Sequence, residues 1–287
     1  MPPNDRSSAS ASVTHTVETA IFDAASGGGN DNHGWDELIE QAVRDNVRSN
    51  ADVDWGRFNS QAYFDHNYGK LRDDDREIIQ VVGDFFARAT RGKMVGSAID
   101  VGAGTNLYPA MTMLPYSSQL TLLERAHSNR AWLLRELPEP HESWLDFWDE
   151  IREGREHYRP ISDPFYVLQE RARVTRGNVL TLEEDRYDIG TMFFVAESIT
   201  TRTDEFQRAV RHFVRSLRHG RPFASAFMRN SSGYYVDGVH FPACSIEEKD
   251  VRAALAPVAK NVTISVVESN DLRDGYCGMM VATGFKR

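Results

Sequence analysis

The chain has 287 residues, of which 41% are hydrophobic, enough for one large core or one core with a small satellite. Its 33 Lys and Arg residues against 42 Asp and Glu residues give a net charge of −9, which disfavours nucleic acid as a partner. The 2 cysteines lack metal-site spacing and no apolar run is as long as a membrane span, so we expect a soluble, cytoplasmic protein without a metal or membrane contacts.

The N-terminal part of the chain differs in composition from the rest. Residues 1–32 are rich in Ser, Ala, Gly and Asn, so we expect a disordered or weakly docked segment there. An aromatic stretch follows from Trp55 to Tyr68, and an apolar stripe predicts a long helix from about Asp73 to Thr90. These patterns predict a helical cap over residues 33–92, ahead of a sheet domain over 93–287.

A short apolar strand followed by two glycines organises the sheet domain. Residues 98–101 suit a buried parallel strand, and Gly102 and Gly104 permit a tight turn before a helical run. About twenty residues later a second apolar strand ends in Glu124, where an acid can hold a ribose diol. A strand, a glycine turn and a helix N-terminus together predict a cradle for an adenosyl or nucleotide ligand.

Two common nucleotide-binding motifs do not fit this stretch. Leu107 stands where a dinucleotide fingerprint needs a third glycine for close packing of helix on strand. The chain also has no Gly-Lys-Ser or Gly-Lys-Thr sequence, which excludes a P-loop. The alternative to an adenosyl cradle is an ordinary strand-to-helix turn.

After Glu124 the pattern alternates between strands and helices, with one insertion at about 138–171. Aromatic residues at helical spacing in the insertion predict either core packing or a substrate lid. The alternating segments predict a mostly parallel sheet with right-handed crossovers, and two strands without a helix between them close the chain. Ser245 and Glu248 have the spacing of a helix-opening capping box.

In this order, several segments resemble the class I methyltransferases that use S-adenosylmethionine, and within them the nicotinamide, phenylethanolamine and thioether methyltransferase family. The resemblance covers about Trp55 to Arg287. It rests on Phe58-Asn59 to Tyr68, Asp100-Val-Gly-Ala-Gly to Tyr108, Glu124 with Asn129, Asn178-Val179, and Ser231-Ser-Gly-Tyr-Tyr235. It implies an α/β, Rossmann-like class I methyltransferase fold: a mostly parallel seven-stranded sheet with an antiparallel C-terminal strand, plus an N-terminal helical cap.

The resemblance also implies which residues bind the cofactor, S-adenosylmethionine. They are Tyr63, Tyr68, Gly102, Ala103, Gly104, Tyr108, Glu124, Arg125, Asn129, Asn178, Val179 and Phe193. Glu124 would hold both ribose hydroxyls, while Tyr63 and Tyr68 would close over the cofactor. Asn67 stands where a further tyrosine is common in the family. Asn178 stands where the family usually has Asp, but its amide still offers adenine a donor and an acceptor.

The acceptor side departs further from the family. Nicotinamide-type members have an Asp where this chain has Phe227-Met228, and no nearby carboxylate in the sequence replaces it. Nicotinamide is therefore not the expected substrate. The candidate catalytic residues are Tyr63, Glu197 and Tyr235, and Glu197 would either meet an amine or cap the following helix.

We therefore expect S-adenosylmethionine-dependent methyl transfer to the nitrogen or sulfur of a small molecule, by a monomer or homodimer. Such a transfer needs a positioned nucleophile and excluded water rather than a universal base. Two alternatives use the same cradle. One is chemistry on the aminocarboxypropyl arm, which releases methylthioadenosine, and the other is a scaffold or sensor that binds the cofactor without catalysis.

Overall fold

A seven-stranded sheet lies at the centre of the computed structural model, which describes residues 48–267 and 278–287. The strands are β1 Gly96–Val101, β2 Ser117–Glu124, β3 Ala172–Arg176, β4 Ile189–Phe193, β5 Pro222–Met228, β6 Tyr234–Val236, β7 Val239–Phe241, β8 Ala259–Val267 and β9 Met279–Lys286. The α-helices are α1 Ser60–Asn67, α2 Asp73–Thr90, α3 Tyr108–Thr112, α4 His127–Glu136, α5 Trp144–Arg152, α6 Pro164–Arg171, α7 Thr203–Ser216 and α8 Glu248–Leu255.

The order of the strands identifies the fold class. The large sheet runs β3-β2-β1-β4-β5-β9-β8, and β6 pairs with β7 in a separate hairpin. Strands β1 to β5 pair in parallel, whereas β9 is antiparallel to both β5 and β8. The chain winds outward from β1 to β3 and then returns to β4 on the other side of β1. This order confirms the predicted Rossmann-like fold with an antiparallel C-terminal strand.

Hydrophobic cores lie on both faces of this sheet, because neighbouring residues of a strand point to opposite sides. On β1, Ala98 packs in one core with Ile78 of α2, and Ile99 packs in the other with Phe213 of α7. The central strands β4 and β5 are buried along their whole length, as expected for parallel strands covered by helices on both faces.

The aromatic stripe of the insertion belongs to the core. Trp144, Phe147, Trp148 and Ile151 on α5 are all buried, with at most 3% of any of them exposed. The ring of Phe147 stacks on that of Tyr108 at a centroid distance of 5.5 Å. The hypothesis that this stripe forms a substrate lid is therefore wrong, since its apolar face has no surface left for a ligand.

The start of α8 corrects a second expectation. Glu247 is the N-cap of α8 and exchanges hydrogen bonds with Asp250, so the capping box does not involve Ser245 and Glu248. A carboxylate replaces the expected hydroxyl, and the helix begins later than predicted.

The described residues fall in one compact unit, Val47–Arg287. The predicted N-terminal segment 1–32 and the start of the predicted cap lie outside the described residues, so the domain boundaries stay predictions. In the described part, none of the helices is long and apolar enough to cross a membrane.

We expect Phe147→Ala to lower the free energy of unfolding by about 3–5 kcal/mol, because it removes a fully buried ring and leaves a cavity. Chemical denaturation measures this loss. Leu145→Ala on the same helix is the matched control, because Leu145 is 48% exposed and its truncation should change stability by less than about 0.5 kcal/mol. Equal losses in the two variants would contradict the assignment of the stripe to the core.

Candidate functional site

The main pocket lies at the carboxyl ends of β1, β2 and β4, where the strand order reverses. In open α/β sheets ligands bind at this crevice. Apolar side chains and a few polar groups line it together, as is typical of sites for small organic molecules. The lining residues are Asn50, Trp55, Phe58, Tyr63, Tyr68, Val101, Gly102, Ala103, Gly104, Thr105, Asn106, Leu123, Glu124, Arg125, Asn129, Gly177, Asn178, Val179, Phe193, Phe194, Val195, Ser198, Ile199 and Tyr234.

Backbone atoms form the floor of the pocket at the turn after β1. Gly102 has a left-handed φ of 68°, and its N–H donates to the carbonyl of Leu123 at 2.7 Å. A Cβ at Gly102 would lie 2.5 Å from Cγ2 of Val195, so a side chain does not fit there. The turn therefore needs glycine for its conformation and for its close approach to the loop after β4.

Glu124 at the end of β2 is the best-anchored polar group of the pocket. Its Oε2 accepts the backbone N–H of Gly104 at 2.9 Å, and its Oε1 accepts that of Ala126 at 2.6 Å. Burial raises the pKa of Glu124, against these two hydrogen bonds and a smaller contribution from Asn129, which all favour the ionised form. The carboxylate is thus held in one orientation at the pocket wall.

Two amide side chains of fixed orientation, Asn178 and Asn50, also line the pocket. Oδ1 of Asn178 accepts the N–H of Leu180 at 3.1 Å, and Oδ1 of Asn50 accepts the indole N–H of Trp55 at 3.0 Å. Both donors are N–H groups that cannot accept, so each amide must present its oxygen to them. The backbone N–H of Asn50 also donates to Glu205 at 2.8 Å, which fixes the start of this segment.

Aromatic rings from the cap and from the β6–β7 hairpin roof the pocket. Tyr63 contacts the rings of Tyr68 and Tyr234, at centroid distances of 6.2 and 6.3 Å. The hydroxyl of Tyr234 donates to the carbonyl of Ser198 at 3.3 Å. Between the two segments, Nδ2 of Asn59 donates to Oδ2 of Asp237 at 2.8 Å.

The structure brings together the cofactor-binding residues that the resemblance implies, with one exception. Tyr63, Tyr68, Gly102, Ala103, Gly104, Glu124, Arg125, Asn129, Asn178, Val179 and Phe193 all line the pocket. Tyr108, the first residue of α3, does not line the pocket, because its side chain is fully buried. Its ring packs edge-on against that of Tyr68, with the ring centroids 6.2 Å apart. Tyr108 therefore supports the pocket wall from the core.

Of the three candidate catalytic residues, only Tyr63 lines the pocket. Tyr235 is 71% exposed, because side chains alternate along β6 and it is Tyr234 that faces the pocket. Glu197 is fully buried and outside the pocket lining, and its Oε1 accepts the backbone N–H of Met228 at 2.9 Å. Glu197 thus ties the loop after β4 to the end of β5, and neither meets the pocket nor caps α7.

The sequence did not single out several lining residues. Phe194, Ser198 and Ile199 follow the carboxyl end of β4, so their place in the sheet is the signal that finds them. Phe194 has a φ of 57°, which is uncommon for an aromatic residue and marks a constrained point of the wall. No sequence motif around Asn50 indicates a role in the site, because this residue reaches the pocket from the segment that precedes α1.

No family model matches the chain, and the search of curated proteins gives no match. Among solved structures, 1,6-didemethyltoxoflavin-N1-methyltransferase of Burkholderia thailandensis is 14% identical over 91% of this chain and 92% of its own, with a TM-score of 0.48. An S-adenosylmethionine-dependent methyltransferase from Clostridium acetobutylicum is 12% identical over 79% of this chain and 99% of its own, with a TM-score of 0.47. The N-methyltransferase NodS of Bradyrhizobium japonicum is 9% identical over 72% and 86%, with a TM-score of 0.41. At these values the likenesses say nothing about what this chain binds.

Glu197 gives the stability of the protein a pH dependence. Burial raises its pKa from 4.5 to about 7, against the hydrogen bond from Met228. Between these two values the folded protein keeps a proton that the unfolded chain has lost, so this group lowers stability as the pH rises through that window. We expect the melting temperature of Glu197→Gln, relative to the wild type, to rise on the order of 5 °C from about pH 5 to about pH 8.

Differential scanning calorimetry at several pH values measures this difference. Glu183→Gln is the control, because the Glu183 side chain is 74% exposed. The pH profile of the control should follow that of the wild type. A Glu197→Gln profile that also follows the wild type would show that Glu197 is already ionised in the fold at low pH.

Proposed function

We propose that the pocket binds S-adenosylmethionine and that the protein transfers the methyl group to the nitrogen or sulfur of a small molecule. The observation that carries this proposal is the buried carboxylate of Glu124, which is fixed beside the glycine turn at the switch point of the sheet. An acid in this position is suited to a ribose diol, and a close backbone turn is suited to the group attached to the ribose.

The residues present fit the adenosyl group. Each oxygen of Glu124 accepts one backbone N–H, and a carboxylate oxygen has a further lone pair, so both can also accept a ribose hydroxyl. Asn178 and Val179 follow β3, which pairs with β2 up to Glu124, and in the same pocket they would meet the base. The rings of Tyr63 and Tyr68 would face the sulfonium, and such contacts favour a cation by about 0.5–2 kcal/mol.

When bound, S-adenosylmethionine would supply an electrophilic methyl carbon with a sulfonium sulfur as its leaving group. The chain's part is to hold the adenosyl group at Glu124 and the acceptor in line with the methyl carbon. The aromatic roof of Tyr63, Phe58 and Tyr234 excludes water from the reaction. Positioning of this kind can supply much of the rate enhancement.

S-Adenosylhomocysteine should raise the melting temperature, because a ligand at about 100 times its Kd adds roughly 2.7 kcal/mol to the stability of the fold. Glu124→Gln should lose most of this shift, since it removes a charged acceptor from the ribose site. Glu183→Gln, on the exposed surface, should keep it. Absence of binding to the wild type by calorimetry would refute the proposed cofactor.

The reaction itself is tested with S-adenosylmethionine labelled separately on the methyl and on the aminocarboxypropyl group, incubated with a small-molecule extract as the source of acceptor. We expect S-adenosylhomocysteine and a methyl-labelled small molecule. Methylthioadenosine as the main product would replace methyl transfer with chemistry on the aminocarboxypropyl arm. Binding without any turnover would favour a scaffold or sensor.

A further inference from the structure

A buried hydrogen bond joins the cap to the polar wall of the pocket. The hydroxyl of Ser60, the first residue of α1, donates to Oδ1 of Asn129 on α4 at 2.7 Å. Both residues are only 6% exposed, and they are 69 positions apart in the chain. Asn129 lines the pocket, whereas Ser60 does not. Any effect of Ser60 on a ligand in the pocket therefore passes through Asn129.

The acid next to Asn129 decides which way its amide is turned. Burial raises the pKa of Glu124, whereas its hydrogen-bonding neighbours, with the Asn129 side chain among them, lower it. An ionised carboxylate can only accept hydrogen bonds, so the amide must turn Nδ2 towards it. Nδ2 of Asn129 also lies on the side of the glycine turn, 4.0 Å from where a Cβ of Gly104 would be. The amide oxygen is thereby left on the side of Ser60.

Only a donor fits opposite this amide oxygen. A serine hydroxyl can donate or accept, and here it donates. An alanine at position 60 would leave Oδ1 of Asn129 buried without this donor, which is costly. Rotation of the amide by half a turn would not relieve the cost, because the oxygen would then face the carboxylate of Glu124. The proton of Ser60 thus selects one of the two orientations of the amide.

We propose that Ser60 is a positioning residue for the cofactor: its hydroxyl orients the Asn129 amide, which in turn holds the Glu124 carboxylate ready for the ribose hydroxyls. The proposal rests on the proposed binding of S-adenosylmethionine. Ser60 belongs to the same helix as Tyr63, which lines the pocket from the roof. One helix of the cap would therefore both cover the cofactor and support the acid that anchors it.

The charged groups near Glu124 come from several segments. Burial raises the pKa of Asp100 on β1 to about 8, and the charge of Glu124 adds to this effect, so Asp100 is mostly neutral at neutral pH. Arg176 of β3 is the register partner of Glu124, Arg125 follows it in the chain, and the guanidinium of Arg130 donates to its backbone carbonyl at 3.2 Å. A neutral substitution on α1 changes none of these charges.

Isothermal titration calorimetry of S-adenosylhomocysteine on the full chain, from about pH 5 to about pH 8, tests the proposal. We expect Ser60→Ala to bind about fivefold more weakly at neutral pH, which corresponds to the loss of one net hydrogen bond. In both proteins the affinity should fall at low pH, where Glu124 takes up a proton. The fall should begin at a higher pH in Ser60→Ala, because the pKa of Glu124 rises when the amide donor is no longer held towards it.

Two further variants separate orientation of the amide from loosening of the cap. Gln61→Ala removes another hydrogen bond between the same two helices, from the indole N–H of Trp132 to Oε1 of Gln61 at 3.0 Å. This control should leave the pH profile of binding unchanged. In the background of Asn129→Ala, the substitution Ser60→Ala should have no further effect, because residues that act through one another are not additive.

Three results would overturn the proposal. One is a Ser60→Ala protein with the affinity and the pH profile of the wild type. Another is an equal shift of the profile in Gln61→Ala, which would assign the effect to docking of the cap, and the third is full additivity of Ser60→Ala with Asn129→Ala. Failure of S-adenosylhomocysteine to bind the wild type would instead refute the proposed function, which is a distinct result.

Discussion

The carboxylate of Glu124 links the glycine turn after β1 to the start of α4, and the pocket is built around these two segments. It accepts N–H groups from the glycine turn after β1 and from the residue that precedes α4. These two segments meet because β1 and β2 are neighbours in parallel register, with Val101 opposite Leu123. The negative charge also lies at the N-terminus of α4, where the helix dipole favours it. These donors offset part of the cost of burying the charge, although burial still raises the pKa of Glu124.

The sequence predicts the parts of the site that lie close together in the chain. The strand, the glycine turn, the second strand and its terminal acid form one local pattern, and the alternation of strands and helices predicts the mostly parallel sheet. The prediction of Tyr235 as a catalytic candidate is wrong, because the face that each side chain of β6 occupies depends on the register of the hairpin. The signal was present in Asp237-Gly238, whose positive φ values of 49° and 75° suit a two-residue hairpin turn. Asn50 reaches the pocket through contacts between distant segments, for which the sequence carries no spacing rule.

Two separate segments, the cap and the β6–β7 hairpin, form the roof of the pocket. We expect ligands to enter and leave where these two segments meet. The cap and the hairpin meet through ring contacts and the hydrogen bond from Asn59 to Asp237, which is exposed to solvent. Buried Phe58 of the cap also packs on Phe241 of the hairpin, with ring centroids 5.2 Å apart, so parting the two pieces exposes a small aromatic cluster. Exchange of product for fresh substrate then requires only a local opening, which is far less costly than unfolding. If opening of the roof limits turnover, its rate depends on this cluster and on the hydrogen bond from Asn59, and the stability of the sheet and its helices can be high without slowing it.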